Sequence, residues 1–110
     1  MGEPRFEKMF KKLTDALFEM RGAEIRVLAY LLASKNSENK IIATYSKIAK
    51  AIDCSTDAVG DVMRDLLRLD IIRRECDGVY MLNPGMVAKG KSTRIIALLD
   101  TYYRLAQYSL

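Results

Sequence analysis

The stretch TYSKIAKAIDCSTDAVGDVMRDLLRL, residues 44–69, decides the fold. Thr44 carries a hydroxyl that can accept a backbone N–H two or three residues ahead, so it opens a short helix running to about Ile52. Lys47 stands where a capping-box acid would be, and the helix start therefore rests on Thr44 alone. Asp53-Cys54-Ser55 then breaks the chain. Aspartate is among the few non-glycine residues that tolerate a left-handed backbone, Cys54 is a small apolar plug, and Ser55 caps a longer helix to about Leu69. Val59, Val62, Met63, Leu66 and Leu67 recur at helical spacing, so this second helix presents one face to a core. Ala49 is small enough for the two helices to cross closely. Two helices joined by so short a turn predict a helix-turn-helix.

The flanks complete the pattern. Upstream, Ala23 to Lys35 places Ile25, Leu28, Leu31 and Leu32 on a helical stripe and ends in the polar turn Ser34–Asn39. Lys40–Ala43 is short and β-branched, a strand stub. Downstream, Ile71–Cys76 and Val79–Leu82 are separated by Asp77-Gly78, a pair suited to the positive φ angles of a tight hairpin, and Asn83-Pro84-Gly85 ends it. Phe6, Phe10, Leu13, Leu17 and Met20 predict a helix stopped by Arg21-Gly22. Ile95, Leu99, Tyr102 and Ala106 predict a last one over about Ser92 to Tyr108. The expected class is mainly α with a small β-hairpin wing: a winged helix-turn-helix flanked by N- and C-terminal helices. It forms one domain over 1–110, with an N-terminal helix at 1–22, the winged-helix core at 23–84, and a basic loop and C-terminal helix at 85–110.

The chain has 110 residues, half of them apolar, which suits one small core. Its net charge of +4 is unevenly spread: residues 1–43 carry a surplus of +2, residues 44–82 one of −1, and residues 83–110 one of +3. No stretch reaches the roughly 20 apolar residues of a membrane span, and MGEPRFEKMF lacks the apolar core of a signal peptide, so a cytoplasmic location is expected. Histidine is absent, and Cys54 and Cys76 form no CxxC motif and have no histidine neighbours, so reduced structural thiols and no metal are expected. No paired-carboxylate or nucleophile motif stands out, so an enzyme is not expected, nor a cofactor.

A winged helix lays its second helix in the major groove while the hairpin reaches the backbone or minor groove, so the expected partner is double-stranded DNA. The outward face of that helix offers Thr56, Asp57, Gly60, Asp61, Arg64 and Arg68. Thr44, Tyr45, Ser46 and Ser55 stand at helix starts suited to phosphate, and Arg73 and Arg74 lie on the wing. Residues 55–70 carry Asp57, Asp61, Asp65 and Asp70 against Arg64 and Arg68, a net −2 that repels phosphate. Asp57 is suited either to accept from a cytosine or to favour the helix dipole. Attraction is therefore expected from the segment with Lys89, Lys91 and Arg94.

Gly85 to Ser92 satisfies GxxxxGK[ST] to the letter. That loop works in a parallel sheet with a carboxylate from another strand, whereas here an antiparallel hairpin precedes it and no strand follows, so no nucleotide is expected.

Gly78-Val79-Tyr80-Met81-Leu82-Asn83-Pro84 followed by Lys89-Gly90 resembles the RepL-type plasmid replication proteins of Gram-positive bacteria. The resemblance covers roughly residues 23–91 and implies a plasmid-borne, DNA-binding winged helix acting in replication or its control. A winged-helix repressor, a partition adaptor on repeated plasmid sites, and a winged helix used only for protein contacts remain alternatives, the acidic helix favouring the last. Phe6, Phe10, Leu13, Leu17, Ile95, Leu99 and Tyr102 supply apolar stripes beyond the core, which points to a homodimer or to packing on the chain's own domain.

Overall fold

The structure is a computed structural model that describes residues 22–88 and 90–107. The predicted helix with Phe6, Phe10, Leu13 and Leu17, and the predicted contact Lys89, lie outside the described residues. The elements are α1 (Ala23–Ser34), β1 (Lys40–Ile42), α2 (Tyr45–Ile52), α3 (Thr56–Arg68), β2 (Ile72–Cys76), β3 (Val79–Leu82) and α4 (Ser92–Arg104).

The local chemistry of the central stretch is realised. Thr44 Oγ1 accepts from the Lys47 N–H and Ser55 Oγ from the Ala58 N–H, each at 3.1 Å, so both helix starts are hydroxyl-capped. Asp53 is left-handed, at φ 55°, and the Cys54 N–H returns to the Ala49 carbonyl at 3.0 Å. A second aspartate repeats the device: Asp70, at φ 58°, follows α3 while the Ile71 N–H reaches the Leu66 carbonyl and the Asp70 N–H that of Leu67. That pair of bonds is a Schellman closure, normally completed by glycine.

The strands form one antiparallel sheet in the order β1-β3-β2. Ile41 pairs Tyr80 and Ile42 pairs Val79, while Arg73 pairs Met81 and Ile72 pairs Leu82. At the hairpin tip only Gly78 takes a positive φ, 76°, and the ladder is bulged between Arg74 and Cys76. The expected two-residue mirror turn is thus replaced by a left-handed glycine with a bulge, the other common hairpin solution.

Side chains alternate across a strand, so the sheet has two faces. Ile41, Ile72, Tyr80 and Leu82 join Val27, Leu28, Leu31, Ile48, Val59, Met63 and Leu66 in the main core between sheet and helices. Met81 points the other way and packs on Leu98 and Tyr102 of α4. The last helix ends at Arg104, short of the predicted Tyr108, because Leu105 turns extended and gives its carbonyl to Arg73 Nη1 at 2.9 Å. No helix among the described residues is long and apolar enough to cross a membrane.

Candidate nucleic-acid interface

β1 delivers Ala43 beside the hairpin tip, where its N–H donates to the Gly78 carbonyl at 2.9 Å, and α2 begins at once. The start of α2 and the wing tip are therefore neighbours. Tyr45, the first residue of α2, stacks on Tyr80 with centroids 6.1 Å apart and lies against Gly60, where an added Cβ would stand 3.7 Å from its ring. Tyr45 thus ties the start of α2 to both the sheet and α3. Burial, reinforced by the hydrogen bond with Tyr45, pushes the Tyr80 hydroxyl well above its ordinary value, so it stays neutral. Gly60 lies under Tyr45 rather than offering open surface.

Thr44, Ser46, Ser55, Thr56, Asp57, Asp61, Arg64 and Arg68 are all exposed. The capping hydroxyls are spoken for, but the first-turn N–H groups of each helix have no intrahelical acceptor. On α3, Arg64 pairs with Asp61 at 3.4 Å and Arg68 with Asp65 at 3.0 Å, so two of its carboxylates are answered on the helix itself. Lys47 and Lys50 were not singled out from the sequence. Both are exposed on α2, with no ion pair among the described residues, and their signal was available: Ile48, Ala49 and Ile52 turn inward, which leaves them outward.

Two wing arginines were expected at this surface, and only one is there. Arg74 is part-exposed near the tip and pairs with Asp77. Arg73 is 6% exposed and corrects the expectation: strand alternation sends it to the opposite face, against α4. Its Nε and Nη2 donate to the Asp70 carboxylate at 2.9 and 3.1 Å, and its guanidinium lies 4.7 Å from the Tyr102 ring centre. These contacts hold its charge in place, the Asp70 hydrogen bond raising its pKa most. Tyr102 corrects the dimer expectation in the same way. It is 0% exposed, and its hydroxyl donates to Asp70 Oδ1 at 2.7 Å, so it packs on its own domain. Ile95 and Leu99 are half-buried, and the outward stripe of α4 is Ile96, Leu99 and Tyr103.

Arg94 does not join this surface. Its guanidinium donates to the Ser37 carbonyl in the turn before β1, and that turn meets the Leu82 end of β3, where Leu82 N–H donates to Asn39 O at 2.8 Å. The hairpin tip lies at the Val79 end, so Arg94, with Lys91 just before α4, stands at the far end of the sheet. The start of the phosphate-loop pattern is hydrogen-bonded from within. Gly85 N–H donates to Asn83 Oδ1 at 2.9 Å, and the Met86 and Val87 N–H groups donate to the Asn83 carbonyl at 3.0 and 3.1 Å. Three amides at the start of the pattern are thus spent on one asparagine.

Sheet order, hairpin and capped helix pair define a winged helix-turn-helix protein. A family model of the Firmicute plasmid replication protein (RepL) matches residues 3–109, and the chain belongs to that family. It is 34% identical over 80 residues to a replication and maintenance protein of Bacillus subtilis, covering 72% of this chain and 54% of that protein. The same identity and span relate it to replication and maintenance proteins of Staphylococcus aureus and Staphylococcus epidermidis, of which 50% and 49% are covered. The chain thus spans about half the length of the curated relatives it matches. No solved structure matches it.

Proposed function

We propose that this chain is a non-catalytic, double-stranded-DNA-binding unit of a plasmid replication system, acting from the cytoplasm at an origin or its control site. The observation that carries this is the joining of the α2 start, the outward side of α3 and the wing tip into one surface through Tyr45 and the Ala43–Gly78 bond. In that reading the amides at the starts of α2 and α3 meet phosphates, and Lys47, Lys50 and Arg74 supply the positive field. Thr56, Asp57 and Asp61 face the base edges, where an aspartate accepts from cytosine. Family membership supports replication over repression or partition.

The bound form is a homodimer, supported by the apolar side chains Ile96, Leu99 and Tyr103 along the outward side of α4. The test is selection of bound fragments from the plasmid that encodes the chain, followed by affinity measured against salt. We expect an origin fragment and a steep fall of log K with log salt, about 0.9 per phosphate neutralised. A flat slope with weak binding would overturn the reading in favour of a protein-contact module.

A further inference from the structure

At the end of the sheet away from the wing, the turn between α1 and β1 and the first turn of α4 flank an open cavity of about 340 Å³ lined by Lys35, Asn36, Ser37, Asn39 and Arg94. Every lining residue is polar, two are cationic and none is acidic. Lys35 Nζ gives one bond, to Asn39 Oδ1 at 3.4 Å, and Arg94 Nη2 gives one, to the Ser37 carbonyl. An ammonium carries three donors and a guanidinium five, so most of this donor capacity is left over. Asn36 uses its side-chain oxygen on the Glu38 and Lys40 N–H groups, at 2.9 and 3.0 Å, which leaves its amide N–H₂ as a donor. Glu38, the acidic residue of this turn, is within 4.0 Å of the Lys40 ammonium instead. The turn is well fixed: Asn39 is buried, left-handed at φ 62°, and donates to the Leu82 carbonyl at 3.3 Å.

Two cations lining one cavity that has no acidic residue among its described lining repel each other, and an anion accepting from both relieves that repulsion. The first turn of α4, which carries Arg94, adds the positive end of a 13-residue helix. We propose that this cavity is a phosphate site, taking either the backbone phosphate of a duplex that extends past the wing or the phosphate of a small phosphorylated metabolite. The guanidinium grips two phosphate oxygens in its fork while Lys35 supplies a point charge. The site is separate from the helix-turn-helix surface and does not depend on it.

The experiment uses the full ¹⁵N-labelled chain, titrated with inorganic phosphate, thymidine 5′-monophosphate and a duplex, each against chloride at matched ionic strength. We expect saturable shifts at the amides of residues 35–39 and at Arg94, weakened at least tenfold in the Lys35→Gln/Arg94→Gln variant. If that variant does not fold, Arg94→Gln alone carries the comparison, since Arg94 is exposed. Duplex-induced shifts at these amides, with a salt slope lowered by about 1 to 2 in the variant, assign the phosphate to DNA. Monophosphate binding with no duplex effect there assigns it to a metabolite. Shifts that only track ionic strength, or are unchanged by the substitutions, overturn the site. Failure of the helix-turn-helix reading shows elsewhere, as unmoved amides at Tyr45, Ser46 and Thr56 when duplex is added.

Discussion

Asp70 gathers contacts from three parts of the chain: β2, the residue after β3, and α4. Its left-handed backbone closes α3, its carbonyl accepts from Asn83 Nδ2 and from the Tyr102 hydroxyl at 3.1 Å each, and its carboxylate holds Arg73. Tyr102 is fully buried, and removing its hydroxyl leaves these acceptors short of a donor, so Tyr102→Phe should cost about 1 to 2 kcal/mol in urea unfolding. Its burial and the Asp70 contacts raise the pKa of Tyr102 far above its ordinary value, and burial does the same to Tyr80. A raised folded-state pKa contributes stability that is complete below the unfolded value, about 10, and is lost as pH climbs towards the folded one. Above about pH 10 each tyrosine should therefore remove about 1.4 kcal/mol per pH unit, and Lys40, raised by its hydrogen bond to Glu75, acts in the same direction. Urea midpoints from about pH 8 to about pH 11 should fall steeply in the native chain and less so in Tyr102→Phe. A flat profile to pH 11 would contradict both tyrosine assignments.

At the scale of elements, α3 carries a glycine in its interior, which costs a helix about 1 kcal/mol relative to alanine. The Cβ added by Gly60→Ala meets the Tyr45 ring at 3.7 Å, ordinary contact distance, so this substitution should raise stability by about 0.5 to 1 kcal/mol. Ser55→Ala removes the cap on the Ala58 N–H and should lower it by about 1 kcal/mol. Thermal or urea unfolding of the two variants gives opposite signs if α3 is built as described. The helix-turn-helix was readable because what makes it is local: a hydroxyl three residues before the amide it caps, an aspartate at a left-handed turn, an apolar stripe of fixed period. The ion pairs Asp61–Arg64, Asp65–Arg68 and Asp70–Arg73 are equally local, three residues apart, yet in the sequence the first two registered only as net charge and Arg73 as a wing residue. The placement of Arg73 was not local. Alternation puts it opposite Ile72, and nothing near it in the chain says that α4, some 30 residues on, covers that face and turns a wing arginine into a buried one. Arg94 was misplaced for the same reason, since the end of the sheet from which its helix starts is a property of topology, not of charge.

For the whole molecule, the docking of α4 decides which apolar surface is left for a second copy. Leu98 and Tyr102 are consumed by the chain's own sheet, so the face available for pairing is one residue round the helix. There Ile96 is 65% exposed and stands one and two turns before Leu99 and Tyr103. A two-fold pairing through this face places two helix-turn-helix surfaces on one duplex, and it calls for inverted half-sites about 34–36 Å apart. Ile96 is largely exposed, so Ile96→Asp should leave the unfolding midpoint close to native. It should shift the sedimenting species from twice the 12.5 kDa chain mass towards that mass. Affinity for an inverted repeat should then fall towards the affinity for a single half-site, while half-site binding itself is unchanged. A native chain that sediments at 12.5 kDa at micromolar concentration removes the dimer outright. A variant that stays dimeric moves the interface off α4, and Ile25 and Leu32, both exposed on α1, become the surface to substitute next.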